Sequence, residues 1–324
     1  MLILKKAWHS ANLFISFIFL AAFTLFFNEG SFAQASRKIK TIIIDPGHGG
    51  EDNGANGEYE GTLGSKEKNI TLAISMKLVS ELKKAMPDVN IIPSRTTDVF
   101  MSVKEKAKFA NDHRGDLFVC IHADAVTLKT GSRIIGYRNH TKYVGRGKAR
   151  KKVVTKVPIR QYYKIPTTRK GTSTLILAAR QTGDKIKALE ESDLGFNTED
   201  NDSTANINYE SPEYKASALL YSQNFFKKSY QLASLVQEEV AKTGRNDLGV
   251  WQREKGLWVL HATQMPAVLI ETGFVANYDD ERYLNSEKGQ LEIAQLITRA
   301  LVKYRDQVEN PRGVASAGTQ ADSK

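Results

Sequence analysis

Four ionisable residues stand beside short apolar runs, at the positions where strands of a sheet are expected to end. His48 follows the run "TIIID", His122 ends the run "LFVCI" and Glu271 follows "AVLI". Glu67 stands at the start of a predicted helix, and a crossover helix begins at the carboxyl edge of a parallel sheet. Because ligands of α/β sheets gather at this edge, we expect the four side chains to converge there. The two imidazoles and the carboxylate of Glu67 together match a catalytic zinc site that leaves a fourth position for water.

The spacing of these residues does not by itself decide between a metal site and structural roles. The intervals are long, and no compact motif such as His-Glu-x-x-His is present. Either histidine could be a hydrogen-bonded structural residue, and Glu67 alone would be a favourable charge in the first turn of a helix. Glu271 is harder to explain structurally, because a buried carboxylate without a partner is unfavourable. Asp45 and Asp124 are candidate hydrogen-bond partners of the imidazoles, although either could equally cap a turn.

The rest of the chain predicts the elements that would position these side chains. Short apolar runs rich in β-branched residues are typical of strands, and they occur in "KTIIID", "VNIIPSR", "DLFVCIHA", "SRIIGY" and "PAVLIETGF". Helical periodicity occurs in "NITLAISMKLVSELKKAM", from Val103 to Asn111, in "SQNFFKKSYQLASLVQEEVAKTG" and in "GQLEIAQLITRALVKYR". This alternation predicts a single α/β domain with a mostly parallel sheet and helices on both faces.

The 324-residue chain has a formal net charge of +10, and its positive charge is concentrated in one segment. No Asp or Glu occurs from Ala125 to Gly183, whereas acidic residues cluster from Glu190 to Asp202. We interpret residues 139–216 as a long insertion with a basic and an acidic half. Such a segment is commonly a solvated loop, and the alternative is contact with an anionic lipid surface or glycan. Nucleic acid is not expected as a partner, because no nucleic-acid-binding motif is present.

Both ends of the chain are predicted to lie outside the domain. Two lysines precede an apolar stretch from Leu13 to Phe27, and an Ala-x-Ala cleavage motif ends at Ala35. This pattern indicates a secretory signal peptide at residues 1–35, so we expect export to the periplasm or cell envelope. The alternative is an uncleaved anchor helix. The domain then spans residues 36–308, and the tail at residues 309–324 is expected to be disordered.

Five motifs occur in the order found in a known family of enzymes. They are "IIIDPGHGGEDNGA", "SKEKNITLAISMKL", "SRTTDVF", "DLFVCIHAD" and "MPAVLIETGFVAN". In these motifs the chain resembles the zinc-dependent N-acetylmuramoyl-L-alanine amidases of the AmiC-like group, which cleave peptidoglycan. The resemblance implies a single α/β domain with a mixed sheet. It also implies that His48, Glu67 and His122 are the zinc ligands and that Glu271 is the catalytic glutamate.

The resemblance implies a reaction and leaves alternatives open. The reaction is zinc-dependent hydrolysis of the amide bond between N-acetylmuramic acid and L-alanine, in cell-wall remodelling or daughter-cell separation. The alternatives are another zinc peptidase of the cell wall, or a catalytically silent, envelope-binding regulator of the same fold. The chain departs from the family pattern at Lys106 and near His261, where arginines are usual. His261 is a candidate to bind the oxyanion or the substrate.

The insertion could also regulate the site. In AmiC-like enzymes an insertion can contain a helix that blocks the zinc site until a partner protein displaces it. The resemblance therefore suggests autoinhibition and an activator protein as a partner, and the alternative is that the acidic residues belong to a solvated loop. The candidate blocking carboxylates are Glu190, Glu191, Glu210 and Glu213.

Overall fold

The run "TIIIDP" forms the first strand, β1 (Thr41–Pro46), and its three isoleucines are fully buried. This strand lies between two parallel neighbours, β2 (Asn90–Pro93) and β3 (Leu117–Asp124). A strand that is flanked on both sides and covered on both faces requires apolar residues at successive positions. That requirement explains why the sequence shows a continuous apolar run here instead of an alternating pattern.

Three more strands complete the central sheet: β6 (Thr172–Leu177), β7 (Asp247–Arg253) and β8 (Ala267–Phe274). Its six strands lie in the order β2-β1-β3-β8-β6-β7. β8 is parallel to β3, whereas β6 is antiparallel to β8 and parallel to β7. The sheet is therefore mixed and mostly parallel, and this part of the prediction is confirmed.

Helices pack against this sheet through apolar side chains. The first helix, α1 (Glu67–Ala85), buries Ile70, Ile74 and Leu78, which are the residues that its periodicity predicts to share one face. It contacts β1, β2 and β3, and the third helix, α3 (Pro212–Ala241), contacts β6, β7 and β8. None of the described helices is both long and apolar enough to span a membrane. The helices are α1 (Glu67–Ala85), α2 (Val103–Asp112), α3 (Pro212–Ala241), α4 (Trp258–Ala262), α5 (Tyr278–Asn285) and α6 (Glu287–Glu309).

In the computed structural model of the chain, residues 39–307 form one compact unit. The predicted signal peptide and nearly all of the predicted tail lie outside the described residues. The described residues are 38–124, 126–179, 211–254 and 256–310.

The predicted insertion, residues 139–216, is divided differently in the structure. Its residues 172–177 form β6 within the central sheet, so the prediction is wrong for them. A separate two-stranded sheet begins before the predicted boundary and consists of β4 (Lys129–Val144) and β5 (Lys151–Ile165). The predicted strand "SRIIGY" belongs to β4 and not to the central sheet. Short apolar runs are typical of both settings, so the local pattern could not distinguish them.

A buried carboxylate joins α3 to α6. Glu239 on α3 is 2% exposed, and its side chain accepts hydrogen bonds from Lys242, in the turn that follows α3, and from Arg299 and Lys303 on α6. Burial by itself would raise the pKa of Glu239, but the three cations lower it to about 2. The ionised carboxylate is therefore favoured in the folded protein.

We expect Glu239→Gln to lower the free energy of unfolding at pH 7 by about 1–2 kcal/mol, because charge-assisted hydrogen bonds to partly exposed cations are lost. Since the folded pKa lies below the ordinary value of 4.5, this contribution is complete above about pH 4.5 and is lost as the pH falls toward 2. Urea unfolding at pH 7 and pH 3 should show a smaller acid-induced loss in the variant than in the wild type. The exposed neighbour provides a control, Glu238→Gln, which should keep the wild-type loss. An equal loss in Glu239→Gln would contradict the argument.

Candidate metal centre

The carboxyl ends of β1, β3 and β8 lie side by side and bring the four predicted residues together. In the pairing of β3 with β8, His122 lies opposite Glu271. His48 lies two residues beyond the end of β1, and Glu67 is the first residue of α1. Residues from four separate parts of the sequence therefore meet at one edge of the sheet.

Three of these side chains form a compact group of metal-ligating atoms. The ligand atoms of His48, Glu67 and His122 all lie within 4.8 Å of one another. One oxygen of Glu67, Oε2, is 3.1 Å from His48 Nε2, and the other, Oε1, is 2.8 Å from His122 Nδ1. The two imidazole rings meet edge to face with their centroids 4.8 Å apart. Two imidazole nitrogens and a carboxylate in one group fit Zn²⁺, which prefers these ligands.

The Glu67 carboxylate is held by the backbone as well as by the imidazoles. The amide of Ala55 donates to Oε2 at 2.7 Å, and the amide of Ala123 donates to Oε1 at 3.0 Å. Burial would raise the pKa of Glu67, but hydrogen bonds with His122 and His48 bring it far below its usual range. The carboxylate is therefore ionised and fixed in position, as a metal ligand must be.

The glycine-rich turn after β1 places His48 by means of its backbone. The φ angle of His48 is 60°, in the left-handed region that side-chain-bearing residues seldom adopt. A Cβ atom at Gly47 would lie 2.6 Å from ring atoms of His122, and one at Gly54 would lie 2.5 Å from both His48 and Glu67. Glycine is required at these two positions because the ligands approach the backbone so closely.

Arg95 fixes the turn from the interior of the protein. It is 3% exposed, and its Nη2 atom donates to the carbonyl oxygens of Gly47 and Lys68, both at 2.9 Å. The guanidinium thus joins the β1 turn to α1, the two elements that present His48 and Glu67. Arg95 was not among the residues that the sequence predicts for the site. A cation directly after the apolar strand in "VNIIPSR" is the signal that could have identified it.

The sequence predicts Asp45 as a partner of an imidazole, but Asp52 makes that contact. Asp52 Oδ2 lies 2.8 Å from His48 Nδ1. Asp45 is 1% exposed, accepts a hydrogen bond from Cys120 Sγ at 3.0 Å and forms an ion pair with Lys106 at 3.0 Å. The lysine at position 106, noted as a departure from the family pattern, is therefore the countercharge of Asp45.

We expect Asp52→Asn to weaken zinc binding by about 10–100-fold, because the Asp52 carboxylate orients the His48 ring and raises the basicity of Nε2. Competition with a chromogenic zinc chelator would measure the change. The matched control is Glu51→Gln, which alters an exposed carboxylate in the same turn. Wild-type affinity in Asp52→Asn would mean that the backbone of the turn alone orients the ring.

Glu271 lies beside the ligands but is held differently. It is 7% exposed, and its Oε2 atom has no hydrogen-bond partner among the described residues. Burial raises the pKa of Glu271 well above its usual value, the charges of Asp124 and Glu67 raise it further, and Arg253 opposes them. A carboxyl group in this environment binds a proton readily, which is the property required of a general base that later acts as an acid.

The other predicted site residues are placed as follows. Asp124 ends β3, and its charge acts on Glu271. His261 is half-buried on α4, whose Val259 and Leu260 pack into the core, and its proposed role stays a prediction. Three of the candidate blocking carboxylates lie outside the part of the chain that the structure describes, namely Glu190, Glu191 and Glu210. The side chain of the fourth, Glu213, lies outside it as well.

The fold and the site define an α/β domain with a His-Glu-His group that could hold a metal ion and a buried glutamate beside it. A family model described as N-acetylmuramoyl-L-alanine amidase matches residues 42–303. The chain belongs to this family.

Individual relatives agree with this assignment. The chain is 28% identical over 284 residues to the probable N-acetylmuramoyl-L-alanine amidase AmiB of Haemophilus influenzae, a match covering 87% of this chain and 56% of AmiB. It is 27% identical over 265 residues to the N-acetylmuramoyl-L-alanine amidase AmiC of Escherichia coli, and this match covers 81% of this chain and 52% of AmiC. The chain thus spans about half the length of these relatives. The crystal structure of the N-acetylmuramoyl-L-alanine amidase from Clostridium difficile 630 has the same fold, with a TM-score of 0.52, 24% identity and coverage of 83% of this chain and 98% of that one.

Proposed function

We propose that this chain is a zinc-dependent N-acetylmuramoyl-L-alanine amidase that acts on peptidoglycan. The observation that supports the proposal is the group of ligand atoms of His48, Glu67 and His122 within 4.8 Å of one another, in a member of this family. The buried glutamate Glu271 next to this group supplies the proton-transferring residue that an amide hydrolase requires.

In this reaction the bond that breaks joins the lactyl carbonyl carbon of N-acetylmuramic acid to the nitrogen of L-alanine. A zinc ion bound by the three ligands would act as a Lewis acid toward water and toward the amide carbonyl. Glu271 accepts a proton from the attacking water and donates it to the leaving nitrogen. The products are a free lactyl carboxylate and a stem peptide that begins with a free L-alanine. Asp52 and Arg95 keep His48 in position while this happens.

We also propose that the protein acts outside the cytoplasm, in the periplasm or cell envelope, in cell-wall remodelling or daughter-cell separation. The predicted signal peptide and the family's substrate, which lies in the cell wall, support this location. An activator protein that acts on the predicted insertion, residues 139–216, stays a prediction from the sequence.

The products identify the reaction. Purified protein loaded with zinc would be incubated with peptidoglycan, and the new amino termini would be identified by mass spectrometry. We expect stem peptides with a free amino-terminal L-alanine. Cleavage within the stem would instead identify a zinc peptidase. Zinc binding without any new amino terminus would favour the catalytically silent regulator.

A further inference from the structure

The β4–β5 hairpin is a long element that stands apart from the central sheet. Its strands contain 16 and 15 residues and pair from Lys129 opposite Ile165 to Val144 opposite Lys151. At roughly 3.3 Å per residue, the hairpin is about 50 Å long. Nearly all of its residues are exposed. Since a lone two-stranded hairpin is only marginally stable in water, a long one with both faces exposed suggests a role in binding.

The base of this hairpin, where β4 begins and β5 ends, lies at the edge of the sheet that contains the metal centre. β4 begins five residues after Asp124, the last residue of β3, and β5 leads into β6, whose Ser173 lies opposite Glu271. Near the base of the hairpin, Arg133 forms an ion pair at 2.9 Å with Glu60, in the loop that leads to Glu67. A polymer bound along the hairpin would therefore reach the catalytic site at its base.

The hairpin accounts for the positive charge of the whole chain. It contains twelve Lys and Arg residues and no Asp or Glu between positions 129 and 165. Without these twelve, 34 Lys and Arg would remain against 36 Asp and Glu. The cations are distributed along both strands and around the turn, so the hairpin is a linear array of positive charge that complements an extended anion.

One face of the hairpin combines cations with tyrosines. Alternate residues of a strand point to the same face, and the register of the two strands determines which of them lie together. The three tyrosine side chains on this face are between 55 and 69% exposed. The members of this basic tyrosine face are Tyr137, Tyr143, Tyr162, Lys152, Lys156 and Arg160.

These features favour a glycan over a lipid bilayer as the ligand. Peptidoglycan is extended, its stem peptides contain free carboxylates that pair with lysine and arginine, and sugar rings stack through their C–H groups on aromatic rings. Binding in a bilayer interface would require the apolar side chains on one face. Instead, the apolar residues are divided between the two faces. Ile134 and Val154 lie on the face with the tyrosines, and Val153, Val157 and Ile159 lie on the opposite face.

We propose that the basic tyrosine face binds the carboxylate-bearing glycan strand of peptidoglycan and leads it to the metal centre. This proposal rests on the proposed amidase function for the identity of the polymer. It assigns substrate capture to the hairpin and hydrolysis to the residues at the edge of the central sheet.

The test uses a triple variant, Lys152→Gln, Lys156→Gln and Arg160→Gln, and a double variant, Tyr137→Ser and Tyr162→Ser. Cosedimentation with insoluble peptidoglycan would measure binding between 50 and 500 mM NaCl. We expect wild-type binding to weaken with salt and the triple variant to bind at least tenfold more weakly at low salt, with less dependence on salt. The double variant should also bind more weakly but keep the wild-type salt dependence. A control with three exposed helical lysines replaced, Lys83→Gln, Lys84→Gln and Lys108→Gln, should bind like the wild type.

Turnover of a soluble muramoyl peptide, which is too short to occupy the hairpin, separates this proposal from the proposed function. We expect both hairpin variants to hydrolyse it within about twofold of the wild-type rate. Absence of turnover in the wild type would overturn the amidase function but not binding by the hairpin. Wild-type cosedimentation of the triple variant would overturn the proposal for the hairpin. Cosedimentation of the same variants with vesicles containing phosphatidylglycerol tests the lipid alternative. If the hairpin variants lost binding to these vesicles but not to peptidoglycan, the proposal would also be overturned, because the face would then be assigned to a lipid surface.

Discussion

Replacing Glu271 with Gln should reduce the release of stem peptides from peptidoglycan by about 10²–10⁴-fold and leave the zinc content unchanged. Gln has nearly the same shape but cannot accept the proton of the attacking water. Glu271 is not one of the three clustered ligands, so metal analysis of the dialysed variant should give the wild-type stoichiometry. Glu271→Ala should likewise keep zinc and lose hydrolysis.

The same substitution should not destabilise the protein. Glu271 Oε2 is buried without a hydrogen-bond partner among the described residues, and burial raises the pKa of this carboxyl group. Exchange for a neutral side chain removes a charge that is unfavourable at this position, so the Tm of the zinc-free variant should be no lower than that of the wild type.

For the measurement of stem-peptide release, the control variant is Glu287→Gln, which changes an exposed glutamate. Full turnover by Glu271→Gln would remove the assignment of Glu271 as the base.

Replacing Glu67 with Gln should abolish both zinc binding and hydrolysis. The carboxylate contacts both imidazoles and is ionised in the folded protein, so its replacement by a neutral amide removes the one charged ligand of the group. Zinc at 100 times its Kd should stabilise the wild type by about 2.7 kcal/mol and should not stabilise the variant. Thermal unfolding with and without zinc would measure this difference.

The test of Glu67 needs a comparison with a second ligand. His48→Ala removes a different ligand and should also lose both zinc and turnover, whereas Glu292→Gln should retain both. Circular dichroism of the zinc-free proteins would establish that each variant is folded. Zinc bound at the wild-type stoichiometry in both Glu67→Gln and His48→Ala would place the metal at another site.

The elements that form the candidate metal centre could be predicted from local patterns. β1, β3 and β8 are continuous apolar runs because both of their faces are covered, and α1 has the apolar spacing of a helix packed on one side. In a parallel arrangement, the ends of these strands are at one edge. That rule was sufficient to predict that His48, His122 and Glu271 converge there with Glu67.

The division of the segment after β3 could not be predicted in the same way. β6 lies inside the predicted insertion, residues 139–216, but it is fully buried and pairs with β8 and β7. The strands of the hairpin have similar apolar and β-branched residues but are exposed. Strand propensity depends on the local backbone and side chains, whereas burial depends on which neighbour the strand pairs with.

The sequence by itself determined the family, the elements that present the candidate ligands and the candidate ligands themselves, because these depend on residue types in local patterns and in order. Only the tertiary structure decided which carboxylate contacts His48 and which cation supports its turn. The left-handed backbone at His48 directs the ring toward Asp52, while the pleat of β1 directs Asp45 into the interior beside Lys106. These contacts join residues through the path of a turn and the packing of separate elements, which no local spacing encodes.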